Sequence, residues 1–350
     1  MDSALYQLIR DAFKDDASDV FLVENEPPRI RREGEVVVLH PGPIPRSGME
    51  EFWKSCGVDH TNKPEADVSW QVPHGGRLRV NLYHTLGRLA AVLRPIRNVI
   101  PPLAELGLPA ALLQSWMQRR QGLILVTGPT GCGKSTTVAS CLDWINHNMS
   151  RHIVTLEDPI EFLFTNDRSL FSQREIFHDS MDFASGLRSA LRQSPDVLFL
   201  GEIRDHETAM TALHSAATGH LVISTLHSSS IVETLDRFCH LLGAETSGAL
   251  NLLASQLVGI ISQQLLPRIG GGVFPALEYL QNEAAIRRWI VENRLTEIQD
   301  HLHKNTEETN CSFLEYLVAS VNQGYLDPDV ARAACARPQD FDRAMRGITG

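Results

Sequence analysis

The stretch Gly-Leu-Ile-Leu-Val-Thr-Gly-Pro-Thr-Gly-Cys-Gly-Lys-Ser-Thr-Thr, residues 122–137, restricts the fold more than any other part of the chain. Residues 123–126 are an unbroken apolar run of strand length, and Thr136, Val138, Ala139 and Leu142 follow at helical spacing. Between strand and helix, Gly128, Pro129, Thr130, Gly131, Cys132, Gly133, Lys134 and Ser135 fit G-x-x-x-x-G-K-[ST], with Thr136 next in line. The pattern answers a physical demand. Successive backbone N–H groups must curl around a polyphosphate, which requires glycine where φ turns positive. The helix that follows then points its positive end at the same anion. Lys134 is placed to reach the β- and γ-phosphates and the Ser135 hydroxyl to ligate Mg²⁺. An ordinary Gly-rich strand–helix turn would not fill every fixed position, so this chain is expected to bind a nucleoside triphosphate.

Composition narrows the setting. A formal net charge of −10 disfavours a broad nucleic-acid-binding face. The six cysteines never occur as C-x-x-C, so neither a zinc ribbon nor a disulfide framework is implied, as suits a reducing cytoplasm. The first residues carry no basic segment followed by an apolar one, so no signal peptide is expected. No run approaches the roughly 20 apolar residues that span a bilayer, so any membrane role must come through a partner.

The first hundred residues have a rhythm of their own. Leu5, Leu8, Ile9 and Phe13 mark a short amphipathic helix, and residues 18–24 a strand. Residues 29–39 read as a hairpin turning at Glu33-Gly34, and 49–56 as a helix. Residues 67–71, 77–84 and 89–96 read as three antiparallel strands, split by Gly75-Gly76 and Gly87. An α+β domain over residues 1–97 follows. Residues 98–110, with Pro101-Pro102 and Gly107, read as a semi-rigid linker. Over 111–350, strands at 122–127, 152–157, 196–201 and 221–226 alternate with helices, which predicts an α/β core built on a parallel sheet. After about residue 245 the chain reads as mainly helical, broken by Gly270-Gly271-Gly272.

Open α/β sheets bind ligands at the carboxyl ends of their strands, and three further strand ends carry chemistry. Thr155-Leu-Glu-Asp-Pro-Ile-Glu161 packs three carboxylates behind an apolar strand. They can organise Mg²⁺ and water, or form a charged surface turn; the spacing fits both. Residues 196–202, Asp-Val-Leu-Phe-Leu-Gly-Glu, place Glu202 where a Walker B carboxylate would orient the attacking water beside Mg²⁺, with Gly201 in the place of the usual acid. Thr218-Gly-His-Leu-Val-Ile-Ser-Thr-Leu-His227 brackets a strand with His220 and His227. Each is either a core histidine satisfied by the backbone or a sensor of the γ-phosphate. Ser230 and Glu233 make a helix capping box, a structural task. In the small domain, Arg79 and Arg94 are structural taken singly, but in a ring arginines of one subunit can complete a neighbour's site.

Together these motifs resemble the Walker A, aspartate box, atypical Walker B and histidine box of the secretion and type IV pilus ATPases, whose Walker B normally has Gly before the Glu. The resemblance covers nearly the whole chain and points to the pilus-retraction branch. Ser-Asp-Val-Phe-Leu with Pro-Pro-Arg-Ile-Arg resembles the branch's PAS-like N-terminal domain, and Ile-Ser-Gln-Gln-Leu-Leu before Gly-Gly-Gly its helical C-terminal part. Ala285-Ile286-Arg287-Arg288-Trp289-Ile290 resembles a retraction motif usually written Ala-Ile-Arg-Asn-Leu-Ile, departing from it at Arg288 and Trp289. The long N-terminal region and tetracysteine insertion of the extension ATPases are missing here. The resemblance implies a RecA-like P-loop NTPase core with a PAS-like domain, assembled as a homohexamer with ATP and Mg²⁺ between subunits. It implies Glu202 positioning water, Glu161 supporting Mg²⁺ or water, Lys134 and Ser135 holding phosphates and metal, and His227 and His220 coupling phosphate state to domain rotation. Arg79 and Arg94 would be inter-domain or inter-subunit phosphate contacts. The expected partner is an inner-membrane pilus platform protein, with the ATPase peripheral on its cytoplasmic side. A secretion-system ATPase and a nucleotide-binding regulator with little turnover are the alternatives.

Overall fold

Val20 and Leu22, Leu78, Val80 and Leu82, and Leu89, Ala91 and Leu93 are buried at every second position, and a period of two calls for sheets with one packed face. Longer unbroken apolar runs further along call for strands covered on both faces. The computed structural model, which describes residues 4–14, 17–32, 34–73, 76–96, 99–243, 247–304 and 308–347, contains both kinds of sheet. It divides into two units, Met1–Val99 with Pro159–Leu163, and Ile100–Asp158 with Phe164–Gly350.

The first unit is a six-stranded antiparallel sheet. Its strands are β1 (Asp19–Val23), β2 (Arg29–Arg32), β3 (Glu35–Val38), β4 (Glu65–Gln71), β5 (Arg77–Thr85) and β6 (Arg88–Pro95), in the order β3-β2-β1-β6-β5-β4. Helices α1 (Ala4–Lys14) and α2 (Arg46–Ser55) supply Ile9, Met49, Phe52 and Trp53 to its core. The expected elements are found within a few residues of their places. Glu33 and Gly75, assigned to turns, and Arg97 and Asn98, assigned to the domain boundary, lie outside the described residues.

The second unit is an eight-stranded sheet. Its strands are β7 (Gly122–Thr127), β8 (His152–Glu157), β9 (Leu170–Glu175), β10 (Val197–Leu200), β11 (Leu221–Leu226), β12 (Leu257–Pro267), β13 (Val273–Gln281) and β14 (Asn310–Cys311). The order is β14-β13-β12-β7-β11-β10-β8-β9, parallel from β12 to β9 and antiparallel at β13 and β14. Around it run α3 (Ala110–Met117), α4 (Lys134–Asn148), α5 (Phe183–Ala190), α6 (His206–Ala217), α7 (Ile231–Leu241) and α8 (Ser247–Gln256). The chain ends in α9 (Ala284–Val291), α10 (Leu295–Lys304), α11 (Phe313–Asn322), α12 (Pro328–Ala334) and α13 (Pro338–Met345).

Two expectations are corrected. The chain does not turn mainly helical at residue 245, because Ile-Ser-Gln-Gln-Leu-Leu lies on β12, which pairs with β7, and Gly270-Gly271-Gly272, all at positive φ, turn the hairpin to β13. Helices take over only from Ala284. Nor is the segment before Ala110 a free linker. Leu103 is buried in the core of the second unit, Ser140 Oγ on α4 donates to the Pro101 carbonyl (2.7 Å), and Tyr316 donates its hydroxyl to the Gly107 carbonyl (3.0 Å). Prolines that restrict the backbone here dock it rather than space it.

Candidate nucleotide-binding site

The phosphate loop hangs between the end of β7 and the start of α4. Gly128, Gly131 and Gly133 have φ of 142°, 80° and 90°, where side-chain-bearing residues are strained. At Gly128 a Cβ would also lie 2.2 Å from the Gln263 carbonyl oxygen, whereas at Gly131 it would meet nothing within 4 Å. The loop is therefore closed behind and open in front. The Lys134 Nζ, on the first residue of α4, donates to the carbonyls of Gly128 (2.8 Å) and Pro129 (3.0 Å), so its ammonium lies across the loop. Pro129 and Thr130 are exposed, and Ser135 and Thr136 are half-buried. Among the described residues neither the Ser135 nor the Thr136 hydroxyl has a side-chain hydrogen bond, while Thr137 and Ser140 on the same helix do. Burial raises the Cys132 thiol pKa, against the pull of Lys134, so its thiol is no nucleophile.

Gln263, on β12, holds the loop from behind, and sequence reasoning passed over it. It is 2% exposed. Its amide Nε2 donates to the Cys132 carbonyl (2.6 Å) and its Oε1 accepts from the Thr137 hydroxyl (2.9 Å). One side chain thus ties the loop to the first turn of α4. A second tie comes from Thr234 on α7, whose hydroxyl contacts Thr127 (3.2 Å), just before the loop, and Ser228 (2.6 Å), just after His227. The available signal was a polar run, Ser262-Gln263-Gln264, inside an apolar strand, with Ser262 and Gln263 buried.

Glu202 stands two residues past β10. Gly201 before it is explained by space: a Cβ there would lie 3.2 Å from the Leu156 carbonyl oxygen and 3.4 Å from the Glu157 Cα. The Gly201 N–H donates to that carbonyl (2.7 Å), which draws the ends of β10 and β8 together. Glu202 is paired with Arg204, and its Oε2 lies 3.5 Å from the His227 Nε2. Partial burial, and then the Lys134 ammonium, push the His227 pKa below its ordinary 6.5, with Glu202 opposing and Arg237 and Arg204 reinforcing. Neutral His227 beside Glu202 is therefore a polar neighbour rather than an ion-pair cation. The Arg237 guanidinium holds the histidine's loop by donating to the His227 carbonyl (2.8 Å).

The remaining candidates are scattered. His220 precedes β11, and β11 runs parallel to β7 with Leu221 opposite Gly122 and Leu226 opposite Thr127. His220 is thus at the far end of a six-residue strand, about 20 Å from the loop at ~3.3 Å per residue. Its Nδ1 lies 3.0 Å from the Ser215 carbonyl. This corrects the expectation of two active histidines; only His227 reaches the site. Glu161 is exposed, on the Pro159–Leu163 segment that groups with the first unit. From the same stretch it is Glu157 that is buried in the second unit, accepting from the Thr155 hydroxyl (2.7 Å) and the Gln173 amide (3.3 Å). Arg79 and Arg94 are cross-strand neighbours on β5 and β6, and Arg94 already forks onto Asp19 Oδ1 (2.9 and 2.7 Å) within its own unit.

These groups suit a magnesium nucleotide. The loop is a cradle that only glycine can line, with a lysine across it and a free serine hydroxyl on the following turn. Among the described residues no three His, Cys, Asp or Glu side chains gather as a metal cage. A nucleotide-bound Mg²⁺ takes one or two protein oxygens, with phosphates and water completing its shell. A P-loop at the end of a parallel strand, with an acid and a histidine on the strand ends beside it, defines a P-loop NTPase. The chain belongs to the type II/IV secretion system protein family, whose model matches residues 64–310.

Among relatives, the type IV pilus retractation ATPase PilT of Pseudomonas aeruginosa is 35% identical over 96% of this chain and 99% of its own length. A twitching motility protein of Neisseria gonorrhoeae is 40% identical over 87% of this chain and 83% of its own. A crystal structure of the pilus retraction motor PilT with bound ADP superimposes with a TM-score of 0.89 at 37% identity, covering 97% and 99% of the two chains. The ATPase DotB of Legionella pneumophila gives 0.85 at 26% identity, with 94% of each chain covered.

Proposed function

We propose that this chain is an ATP-hydrolysing motor that powers type IV pilus retraction. One observation carries the reading: Lys134, Glu202 and His227 converge from three strand ends in a chain that matches a PilT along nearly its full length. Lys134 and the loop amides hold the phosphates, and Ser135 holds Mg²⁺, which supplies charge neutralisation at the transferred phosphoryl group. Glu202 orients the attacking water and accepts its proton. For that its carboxylate must be shared with Arg204 rather than owned by it, and neutral His227 offers the alternative partner. Glu157 and Glu161 are the supporting carboxylates. His227, between Lys134 and Glu202, feels the loss of the γ-phosphate and passes it to the α7 side of the loop through Ser228 and Thr234.

The active form is a homohexameric ring with nucleotide between subunits. Arg79 and Arg94 serve as contacts in trans, with Arg94 exchanging Asp19 for phosphate, and the boundary near Val99 and Ile100 serves as hinge. No described helix is long and apolar enough to cross a membrane. In this reading the ring works on an inner-membrane platform protein from the cytoplasmic side. With a net charge of −10, nucleic acid is not its track. A secretion ATPase is the second reading, favoured by the DotB likeness and by Arg288 and Trp289. Trp289 packs edge-on against His301 (5.4 Å) instead of offering the smaller apolar residue of the retraction motif.

Turnover decides between an enzyme and a nucleotide-binding regulator. Glu202→Gln should lower the ATPase rate by about 100-fold or more, the scale of losing a group that acts at the transition state, while nucleotide affinity stays within a few-fold. A wild-type rate no higher than that of Glu202→Gln would end the motor reading.

A further inference from the structure

At the opposite end of the second unit's sheet from the phosphate loop is a polar pocket of about 420 Å³, lined by Arg120, Asn148–Arg151, Arg168 and Asp196. Four chain segments build it: the turn before β7, the turn from α4 into β8, the loop before β9 and the start of β10. Its lining carries three arginines and one aspartate, Arg120 and Arg168 exposed and Arg151 and Asp196 half-buried, a local excess of two positive charges on a chain whose net charge is −10. That carboxylate is already engaged, Asp196 Oδ2 accepting from the His152 N–H (2.8 Å) and Oδ1 lying 3.9 Å from Arg151 Nη1. The side chains of Arg120 and Arg168 have neither a hydrogen bond nor an acidic partner among the described residues.

The rim is fixed rather than loose. Asn146, 1% exposed, pins the loop that carries Arg168. Its Nδ2 donates to the Thr165 carbonyl (2.8 Å), its Oδ1 accepts from the Asp167 N–H (3.1 Å), and its own carbonyl accepts from the Arg168 N–H (3.1 Å). Ser169 adds a bond to the Met149 carbonyl (2.7 Å) and accepts from the Arg151 N–H (3.2 Å). A buried amide and a buried hydroxyl thus hold two arginine-bearing segments at a set spacing, which lowers the entropy a ligand must overcome.

We propose that this pocket binds a small phosphate compound carrying two or more negative charges, pyrophosphate or a phosphate ester of nucleotide size, at a site separate from the phosphate loop. Guanidinium forks match phosphoryl oxygens in geometry and stay charged at any physiological pH. A dianion balances the two excess charges, whereas a single carboxylate leaves one uncompensated. Since the pocket sits at the amino ends of β8 and β10, whose other ends carry Glu157 and lead to Glu202, it is distinct in place from the candidate catalytic centre.

The test is calorimetric titration of pyrophosphate into the full chain saturated with ADP, with AMP and citrate as competitors. One molecule should bind per chain. The double variant Arg120→Ala/Arg168→Ala should bind at least tenfold more weakly while its ATPase rate without pyrophosphate stays within twofold of wild type. Displacement by AMP would identify an ester site and its failure an inorganic one, both within the proposal. The proposal is overturned by no binding to the ADP-saturated protein, by equal binding of the double variant, or by loss on Lys134→Ala with retention by the double variant, which would place the anion on the phosphate loop. Citrate displacing as well as pyrophosphate would overturn the phosphate class.

Discussion

Two side chains define what single residues do here. Because burial and the Lys134 ammonium depress the His227 pKa below 6.5, the folded chain favours the neutral imidazole. The stability this group contributes is complete above 6.5 and falls away as pH drops from 6.5 through the lower folded value. If neutral His227 is the partner of Glu202, turnover should be flat around pH 7 and fall only below 6.5, and His227→Gln should remove that acid limb at a lower rate. A pH–rate profile of both proteins checks it, and an acid limb that survives in His227→Gln assigns it to another group. Gln263→Leu keeps the volume but drops both ties, to Cys132 and Thr137. We expect a roughly tenfold loss of ATP affinity, about 1.4 kcal/mol, the scale of a buried hydrogen bond or two. Equilibrium binding and thermal unfolding in parallel distinguish a loosened loop from a loosened fold. At this scale the sequence was partly legible. Phosphate-loop residues and Glu202 follow from motif spacing. The tight space at Gly201, the clamp at 263 and the separation of His220 from His227 depend on which strand ends are neighbours, which no local pattern reports.

Elements show where periodicity suffices and where it fails. β7, β8 and β11 occupy the expected residues because each is a buried apolar run bounded by polar turns. β12 was missed because α8 ends at Gln256 and β12 begins at Leu257, with no turn residue between them to mark the change. Its first half, Leu-Val-Gly-Ile-Ile, is apolar at every position and fits a buried helix as well as a strand. β9 was missed for another reason: as the edge strand it buries only Glu175 fully, so it has no clear alternation. Gly259 supplies an element-scale test, since a Cβ there would lie 2.3 Å from the Trp116 ring. Trp116 is 1% exposed and donates Nε1 to Gln281 Oε1 (3.1 Å). Gly259→Ala must therefore move α3 off the sheet or distort β12. A loss of about 2–4 kcal/mol is expected by denaturant titration; a change below about 0.5 kcal/mol would mean that α3 is not packed there.

For the molecule as a whole, the sequence separates an antiparallel unit from a parallel one, because alternation and unbroken apolar runs are different patterns. It places the boundary loosely, because prolines at 101 and 102 look alike whether they space two domains or dock onto one. Membership in the secretion ATPase family follows from the match over residues 64–310. The direction of the motor rests on the PilT likeness set against two substitutions in α9. The most direct measurement is made on the cell: surface piliation and twitching of a strain lacking this gene, complemented with wild type or with Glu202→Gln. Abundant pili without twitching are expected, with twitching restored by wild type and not by Glu202→Gln. Bald cells, or pili and twitching both unaffected by the deletion, would contradict the retraction reading.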